Sequence, residues 1–258
     1  MLRNLPKISV VIPSYNAEKY IRQTLESIFK QNYSNLEVII QDGGSRDETV
    51  AIIKKFAQKY PKKIKWVSQK DKGQLDAIKK GLKKATGEIL TYINADDIYQ
   101  KEALLKVGEY FAEHTDTLWL AGKGDIINEQ GKSRNSGVTS YKNLLLKINC
   151  YWFLLIVNYL VQPSVFLSKK AYQKFGPFQG EGRIIMEYGL WLKLGKVKMP
   201  VVLDEHLSSF RLTSSNFSST QYKKLLKADF GIAQEHTHNP IVLWLHKLHN
   251  WARVLMVS

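Results

Sequence analysis

Short apolar runs alternate with helical periodicities through the first half of the chain. Residues 8–12 (ISVVI) form a nearly continuous β-branched run that Pro13 stops, which is typical of a strand buried on both faces. Similar runs predict strands at 36–41, 64–68 and 88–93, and a helix with one apolar face follows each of the first three strands. This alternation predicts an α/β fold with a mainly parallel sheet and helices on both of its faces.

Polar and glycine residues mark the predicted helix ends. We expect Asn16 to cap the first helix, and Ser45 with Glu48 to form a capping box for the second. Gly87 is expected to end the third helix.

The pattern is looser after about residue 115. Beyond residue 215 the chain is helical again, so we predict a main domain over 1–215 and a helical extension over 216–258. Between these two limits we expect strands at 118–120, 125–127, 162–168 and 201–212, a turn at 128–131 and a short helix at 187–194.

Composition and charge restrict the class of protein. The 258 residues are 44% hydrophobic, which excludes a disordered chain, and the net charge of +15 favours polyanionic partners such as nucleic acid, anionic lipid or phosphate-bearing small molecules. The single cysteine, Cys150, excludes an internal disulfide and a cysteine zinc site, and it favours a reducing compartment. No apolar stretch reaches the roughly 20 residues that span a bilayer. We therefore expect a cytoplasmic protein, soluble or attached to the inner face of the membrane.

Residues whose side chains can bind a ligand or a metal ion follow all four predicted strands. Tyr15, Asp42, Lys72 and the pair Asp96 and Asp97 come after the first to the fourth strand. Because ligands bind outside the carboxyl ends of parallel strands, these residues are expected around one cleft. The oxygen-only set favours magnesium or manganese over zinc, and the cleft suits a nucleotide diphosphate carried with such a cation.

Each of these features also has a purely structural explanation. Asp42 to Gly44 can be a plain turn, Asn94 to Asp97 a helix N-terminus with first-turn acids, and Lys72 a solvated charge. Their convergence at strand ends favours the binding site. No Gly-x-Gly-x-x-Gly follows the first strand, and the full Walker pattern Gly-x-x-x-x-Gly-Lys-Ser/Thr is absent from the sequence.

Four sequence blocks carry a resemblance to a known family. They are SVVIPSYNA at 9–17, DGGSRDET at 42–49, KGQLDAI through NADD at 72–97, and a looser block at 162–191 with QP, GPF and EYGLW. Through them the chain resembles the family 2 glycosyltransferases. The resemblance implies the GT-A fold, a Rossmann-like mixed sheet flanked by helices, together with a nucleotide-sugar donor, most often a UDP-sugar, and inversion at the anomeric carbon. It also implies Mn²⁺ or Mg²⁺ as cofactor.

The resemblance assigns roles to individual positions. Asp42 would hydrogen-bond the base, Asn94 the ribose or a metal-bound water, and Asp96, with Asp97 beside it, would bind the metal. The remaining donor contacts that it implies are Pro13, Tyr15, Glu18, Lys72, Gln74, Asp76 and Arg211.

Glu187 falls where the family places its catalytic base, commonly an aspartate. The alternative is a solvated residue in the first turn of a helix. Gly189 and Thr213 depart from the family, which usually has an acid and often a histidine there. Two hypotheses follow: an inverting transferase acting on a polysaccharide or lipid-linked oligosaccharide, and a non-catalytic nucleotide-sugar-binding scaffold. No RNA-recognition or helix-turn-helix signature accompanies the charge, so no nucleic-acid partner is expected.

Two apolar segments could contact a membrane. Residues 151–157 (YWFLLIV) form either a buried core helix or an exposed apolar rim. Residues 241–255 place Trp244, Leu248 and Trp251 on one face and basic residues on the other, which fits an interfacial helix or a helix packed on the domain. With the positive net charge, this pattern predicts peripheral binding to an anionic membrane surface.

Overall fold

The computed structural model describes residues 5–133, 137–180, 187–213 and 221–255. The strands in these ranges are β1 Ile8–Ser14, β2 Leu36–Asp42, β3 Ile64–Ser68, β4 Ile89–Tyr92, β5 Ile98–Tyr99, β6 Trp119–Ile127, β7 Val165–Ser168 and β8 Val201–Arg211. The helices are α1 Ile21–Phe29, α2 Thr49–Lys59, α3 Gln74–Lys84, α4 Ala103–Glu113, α5 Gly137–Ile148, α6 Tyr151–Ile156, α7 Lys169–Phe175, α8 Tyr188–Val197, α9 Tyr222–His236 and α10 Pro240–Leu255.

The strands form one mixed sheet in the order β3-β2-β1-β4-β7-β6-β8-β5. β1 pairs in parallel with both β2 and β4, and β2 pairs in parallel with β3. The alternation predicted for the first half of the chain is therefore confirmed. The register sets Ser14 beside Asp42, so the carboxyl ends of β1 and β2 lie side by side.

Two hydrophobic cores cover the two faces of the sheet. In β1, Val11 belongs to one core, whereas Val10 and Ile12 belong to the other. All seven residues of β1 and all seven of β2 are buried. Burial on both faces explains why these strands are continuous apolar runs rather than alternating ones.

The predicted caps of α1 and α2 are wrong, because Asn16 and Ser45 bind each other's loops. The main-chain N–H of Asn16 donates to Oγ of Ser45, and Oδ1 of Asn16 accepts from the main-chain N–H of Arg46. α1 begins only at Ile21 and α2 at Thr49. These bonds fasten the loop after β1 to the loop after β2.

Gly87 does not end α3, which stops at Lys84 with Ala85 extended. A Cβ at position 87 would lie 2.7 Å from the main-chain oxygen of Lys7 and 2.7 Å from the main-chain nitrogen of Ser9. Glycine is needed here because the chain passes close to β1.

The second half contains fewer and longer strands than predicted. The two strands expected at 118–120 and 125–127 are one strand, β6, whose register against β8 shifts on both sides of Lys123. Residues 201–211 form the single strand β8, which pairs in parallel with β6 and antiparallel with β5. The strand expected from residue 162 starts with a 3₁₀ turn at Gln162–Ser164 and becomes β7 at Val165.

The C-terminal helices pack on the sheet domain. Ala233 of α9 and Val242 of α10 join the core that contains Leu154 of α6 and Trp191 of α8. Among the described helices, none combines the length and the apolar character that crossing a membrane would require.

Candidate functional site

A cavity of about 1120 Å³ opens at the carboxyl ends of β1 to β4. Its donor side, defined here as the wall built by the loops after these strands, includes Tyr15, Gly44, Asp71 and Asp96. Its opposite wall comes from the second half of the chain, including Glu187. This volume is large enough for a nucleotide diphosphate ligand, and it lies where parallel α/β sheets bind their ligands.

Five predicted donor-side residues line this cavity: Pro13, Tyr15, Gln74, Asn94 and Asp96. Gln74 and Asn94 are coupled, since Nε2 of Gln74 donates to Oδ1 of Asn94 over 2.6 Å. The ring of Tyr15 is 55% exposed, so it is accessible for stacking on a ligand.

Asp42 lies buried behind the wall, and the adjacent Gly43 and Gly44 face the cavity instead. Its carboxylate accepts from the hydroxyls of Ser14 (3.0 Å), Ser45 (2.5 Å) and Ser68 (2.6 Å). It also accepts from the main-chain N–H groups of Gly44 and Ser45. Five donors fill the acceptor capacity of one carboxylate, so in this structure the side chain of Asp42 holds this loop.

Glu18, Lys72 and Asp76 lie outside the cavity lining. Oε2 of Glu18 accepts from the main-chain N–H of Glu48 just before α2, and Lys72 is exposed. The hydrogen bond and ion pair with Lys80 hold the pKa of Asp76 below its ordinary value. The positive charge expected from Lys72 is instead supplied at the cavity by Lys70 and Arg46.

The neighbouring carboxylates Asp96 and Asp97 point in different directions. Asp96 lines the cavity, whereas Asp97 is fully buried. Oδ1 of Asp97 accepts from the main-chain N–H of Arg211 over 2.8 Å, and its Oδ2 accepts from Nδ2 of Asn94 over 3.1 Å. Burial, reinforced by the charge of Asp96, raises the pKa of Asp97 well above its ordinary value. Asp97 is therefore engaged inside the protein, and Asp96 is the member of the pair that faces the cavity.

Arg211 is also buried and lies outside the cavity lining. Its buried guanidinium donates from Nε to the main-chain oxygen of Asp96 over 2.7 Å and from Nη2 to Oε1 of Gln23 over 2.7 Å. Its Nη1 donates to the main-chain oxygens of Asn128 and Glu129, each over 3.1 Å. Arg211 thus fixes the turn that presents Asp96.

A divalent cation fits this arrangement only together with a ligand. In the part of the chain that the structure describes, no group of three or more histidine, cysteine, aspartate or glutamate side chains could hold a metal ion. Magnesium-type ions are commonly bound by one or two carboxylates plus phosphate oxygens. Asp96 supplies such a carboxylate in the cavity, so its site suits a cation that enters with a diphosphate.

Glu187 directly precedes α8 and lines the cavity as predicted, rather than being solvated. Its Oε2 accepts a hydrogen bond from the hydroxyl of Tyr92 over 3.3 Å. Burial raises the pKa of the Glu187 carboxyl, and the Tyr92 bond and the charge of Lys142 oppose that increase. A carboxylate with a raised pKa is a stronger base, which suits proton abstraction.

Sequence reasoning missed several ionisable residues of the cavity wall, among them Lys142 of α5, Asp229 of α9 and Arg253 of α10. Burial lowers the pKa of Lys142 to about 8 and raises that of Asp229 to about 6. Nη1 of Arg253 lies 3.7 Å from Oδ2 of Asp229. None of these three residues belongs to a recognisable motif, so the sequence offered no signal for them.

Of the two departures from the family pattern, Thr213 lies on the cavity wall, whereas Gly189 lies in the first turn of α8 outside the lining. A Cβ at Gly189 would lie 3.7 Å from Cγ2 of Ile232, so α9 packs beside the position where relatives carry a second acid. Thr213 is buried and lines the cavity.

The chain is similar in sequence to known glycosyltransferases. The model of a family described as "Glycosyl transferase family 2" matches residues 9–174. A protein named "Uncharacterized glycosyltransferase" from Rickettsia felis is 26% identical over 260 residues, which cover 98% of this chain and 40% of the relative. The chain thus spans about two fifths of the length of that relative.

Two solved structures resemble the chain in fold. The mannosyltransferase PcManGT from Pyrobaculum calidifontis, in complex with GDP-Man and Mn²⁺, matches with a TM-score of 0.71 and 18% identity, covering 96% of this chain and 72% of that one. TarS 1-349 from S. aureus, in complex with UDP-GlcNAc, matches with a TM-score of 0.63 and 18% identity, covering 88% and 66%. These likenesses confirm the predicted GT-A fold.

Proposed function

Because the chain belongs to glycosyl transferase family 2, we propose that it transfers a sugar from a nucleotide diphosphate sugar to an acceptor hydroxyl, inverting the anomeric carbon. The observation that carries the proposal is that Asp96 and Glu187 line one cavity. A carboxylate for the diphosphate side and a base for the acceptor side are the two groups that such a displacement needs.

The proposed donor is a UDP-sugar. In support, the exposed ring of Tyr15 lines the cavity at the end of β1, where it can stack on a base. Arg46 and Lys70 line the same side and would offset the charge of the diphosphate. TarS in complex with UDP-GlcNAc also favours uridine, whereas PcManGT in complex with GDP-Man makes guanosine the alternative to test.

We assign the cation site to Asp96, whose carboxylate would hold Mn²⁺ or Mg²⁺ when the donor is bound. A bound cation supplies charge neutralisation for the leaving diphosphate. Arg211 would position the turn through its bond to the main-chain oxygen of Asp96. Asn94 would contribute through its amide, which Gln74 and Asp97 hold in place.

The proposed base is Glu187, which takes the proton from the acceptor hydroxyl as that oxygen attacks the anomeric carbon. The acceptor would be a polysaccharide or a lipid-linked oligosaccharide, handled at the cytoplasmic face of the membrane. Lys142, Asp229 and Arg253 line the cavity wall on the side of Glu187 and offer both signs of charge to such an acceptor.

Nucleotide-dependent thermal stabilisation tests the donor proposal. We would measure melting temperatures of the wild-type chain with UDP, GDP, TDP and their sugars, with and without manganese. One nucleotide should stabilise the protein in a manganese-dependent way, and Asp96→Asn should lose this effect. Asp116→Asn, at a side chain that is 83% exposed, is the matched control and should behave as the wild type.

Stabilisation by no nucleotide, or full stabilisation of Asp96→Asn, would contradict the donor site. Assays of donor hydrolysis and transfer in the presence of manganese then separate an enzyme from a nucleotide-sugar-binding scaffold. Donor binding with neither reaction in the presence of the true acceptor would identify the scaffold.

A further inference from the structure

The exposed apolar side chains of the described residues are concentrated on three helices. Of the large hydrophobic residues that are exposed, all but Tyr15 and Val197 lie on α5, α6 and α10. We call this set the apolar face; it consists of Val138, Tyr141, Leu144, Ile148, Trp152, Phe153, Ile241, Trp244, Leu248, Trp251 and Leu255.

Direct contacts join the three helices into one surface. Nδ1 of His246 on α10 donates to the main-chain oxygen of Leu155 on α6 over 2.8 Å. The rings of Tyr141 on α5 and His249 on α10 stack with centroids 6.0 Å apart. The helices that carry the apolar face are therefore packed side by side, and clusters of exposed apolar side chains on neighbouring elements mark interaction surfaces.

An ordinary surface helix turns its apolar side toward the protein, whereas α10 turns polar residues inward and tryptophans outward. Its polar residues His246 and Asn250 are buried, while Trp244 and Trp251 are 61% and 60% exposed. Nδ2 of Asn250 donates to the main-chain oxygen of Leu226, and Nε of Arg253 donates to the hydroxyl of Tyr222. Hydrogen bonds thus hold the polar side of α10 against the domain, and the apolar side is left for a partner.

The charge around the apolar face selects the partner. Glu129 and Glu181 are consecutive acids in the sequence, so α5 and α6 contain no acid, and no acid follows Glu235, so α10 contains none either. Lys147 on α5 and Lys247 on α10 are exposed. Helices that combine exposed tryptophans with lysines and contain no acid complement an anionic lipid headgroup layer above an apolar interior.

We propose that the apolar face docks this protein on an anionic lipid bilayer, with Trp244 and Trp251 inserted at the headgroup level. The same helices reach the cavity, because Val138 and Lys142 of α5 and Arg253 of α10 line it. Docking would therefore set the acceptor wall of the cavity beside the membrane, where an amphiphilic acceptor is held. The docking surface itself lies outside the catalytic residues of the proposed function.

Vesicle co-sedimentation of the full chain, without nucleotide, tests the proposal. The probe is a vesicle of phosphatidylcholine containing one third phosphatidylglycerol, compared with phosphatidylcholine alone. We expect binding to the anionic vesicles that falls as salt is raised. Trp244→Ser with Trp251→Ser should reduce the partition coefficient by more than about tenfold, since each removes an inserted aromatic ring.

Charge variants test whether membrane binding depends on lysines near the apolar face or only on the net charge of the protein. Lys147→Gln with Lys247→Gln should weaken binding about fivefold for each lysine. Lys54→Gln with Lys55→Gln changes the net charge equally on the exposed side of α2 and should leave binding near the wild-type level. All variants replace exposed side chains, so their melting temperatures should match the wild type.

Three results would overturn the proposal: no binding of the wild type to anionic vesicles, binding that the tryptophan variant retains, or a wild-type dimer that this variant dissociates while vesicles are not bound. The last result would assign the apolar face to a second copy of the chain. The nucleotide-dependent thermal shift, measured on the same variants, keeps a failure of docking distinct from a failure of the donor site.

Discussion

The hydroxyl of Tyr92, the last residue of β4, donates a hydrogen bond to Oε2 of Glu187 over 3.3 Å. The bond connects the sheet that presents Asp96 with the start of α8, which presents the proposed base. Tyr92 is buried and its ring packs edge-on against Phe178, with centroids 5.5 Å apart. Glu187 is therefore aimed by a rigid neighbour rather than by a mobile surface group.

Tyr92→Phe should move the acid limb of the pH profile of kcat/KM to higher pH. The hydrogen bond stabilises the ionised carboxylate, so its loss raises the pKa of Glu187 and keeps the base protonated up to a higher pH. The profile is measured at saturating donor. Tyr99→Phe, at another buried tyrosine that lies outside the cavity lining, should leave the limb in place. Identical profiles for Tyr92→Phe and the wild type would contradict this coupling.

Glu187→Gln should lower kcat by a factor of about 10² to 10⁴, the usual contribution of a general base. The donor dissociation constant should stay unchanged, because the change lies on the acceptor side of the cavity. Steady-state kinetics with the true acceptor and calorimetric titration of the donor measure the two quantities. Glu205→Gln, at an exposed glutamate paired with Lys106, is the control. Near-normal turnover of Glu187→Gln would remove this residue as the base.

Arg211→Gln should lower the free energy of unfolding by roughly 3 kcal/mol, because several buried acceptors lose their donors at once. The main-chain oxygens of Asp96, Asn128 and Glu129 would be left without these bonds. Urea titration measures the loss.

Arg46→Gln, at an exposed arginine of the cavity, gives the opposite pattern. It should weaken donor binding with little change in stability. A stable Arg211→Gln protein that no longer binds donor would instead support the donor contact that the sequence suggested.

The free energy of unfolding of Asp229→Asn, relative to that of the wild type, should increase as the pH rises from 4 to 7. Burial raises the pKa of Asp229 to about 6, so between its ordinary pKa of 3.8 and that value the folded protein binds more protons than the unfolded chain. Wild-type stability therefore falls with pH through this window, and asparagine has no proton to lose. The advantage of the variant should grow by up to about 3 kcal/mol.

Urea titrations at a series of pH values measure this advantage. Asp116→Asn, whose carboxylate is exposed, should show no such growth. An advantage of Asp229→Asn that stays constant with pH would contradict the raised pKa.

The predictable part of the fold is the part governed by local pattern. Each of β1 to β4 is a short apolar run between turn residues, and periodicity identifies such runs. The predicted helix caps were wrong because Asn16 and Ser45 form a hydrogen bond between the loops after β1 and β2. Local sequence cannot reveal such a contact. β6 was divided in two because its glycine-containing middle resembles a turn, whereas pairing with β8 carries the strand through it.

The sequence predicted which strand ends form the site, but it did not predict which side chains face the cavity. Parallel pairing brings the four strand ends together, but the direction of each side chain depends on distant partners. Asp97 turns inward because the main-chain N–H of Arg211 binds it, and Asp42 because three serine hydroxyls surround it. Lys142, Asp229 and Arg253 carry no motif, since they come from separate helices that meet only in the folded chain.

Because Arg211 lies late in the chain, the turn at Asp96 can be completed only after most of the protein has been synthesised. Residues 8–92 contain β1 to β4 and can pair as the ribosome extends the chain. The turn at Asp96 is completed by atoms of residue 211, more than a hundred positions later. A stalled or truncated polypeptide that stops short of this arginine would have the parallel strands without the finished turn that presents Asp96.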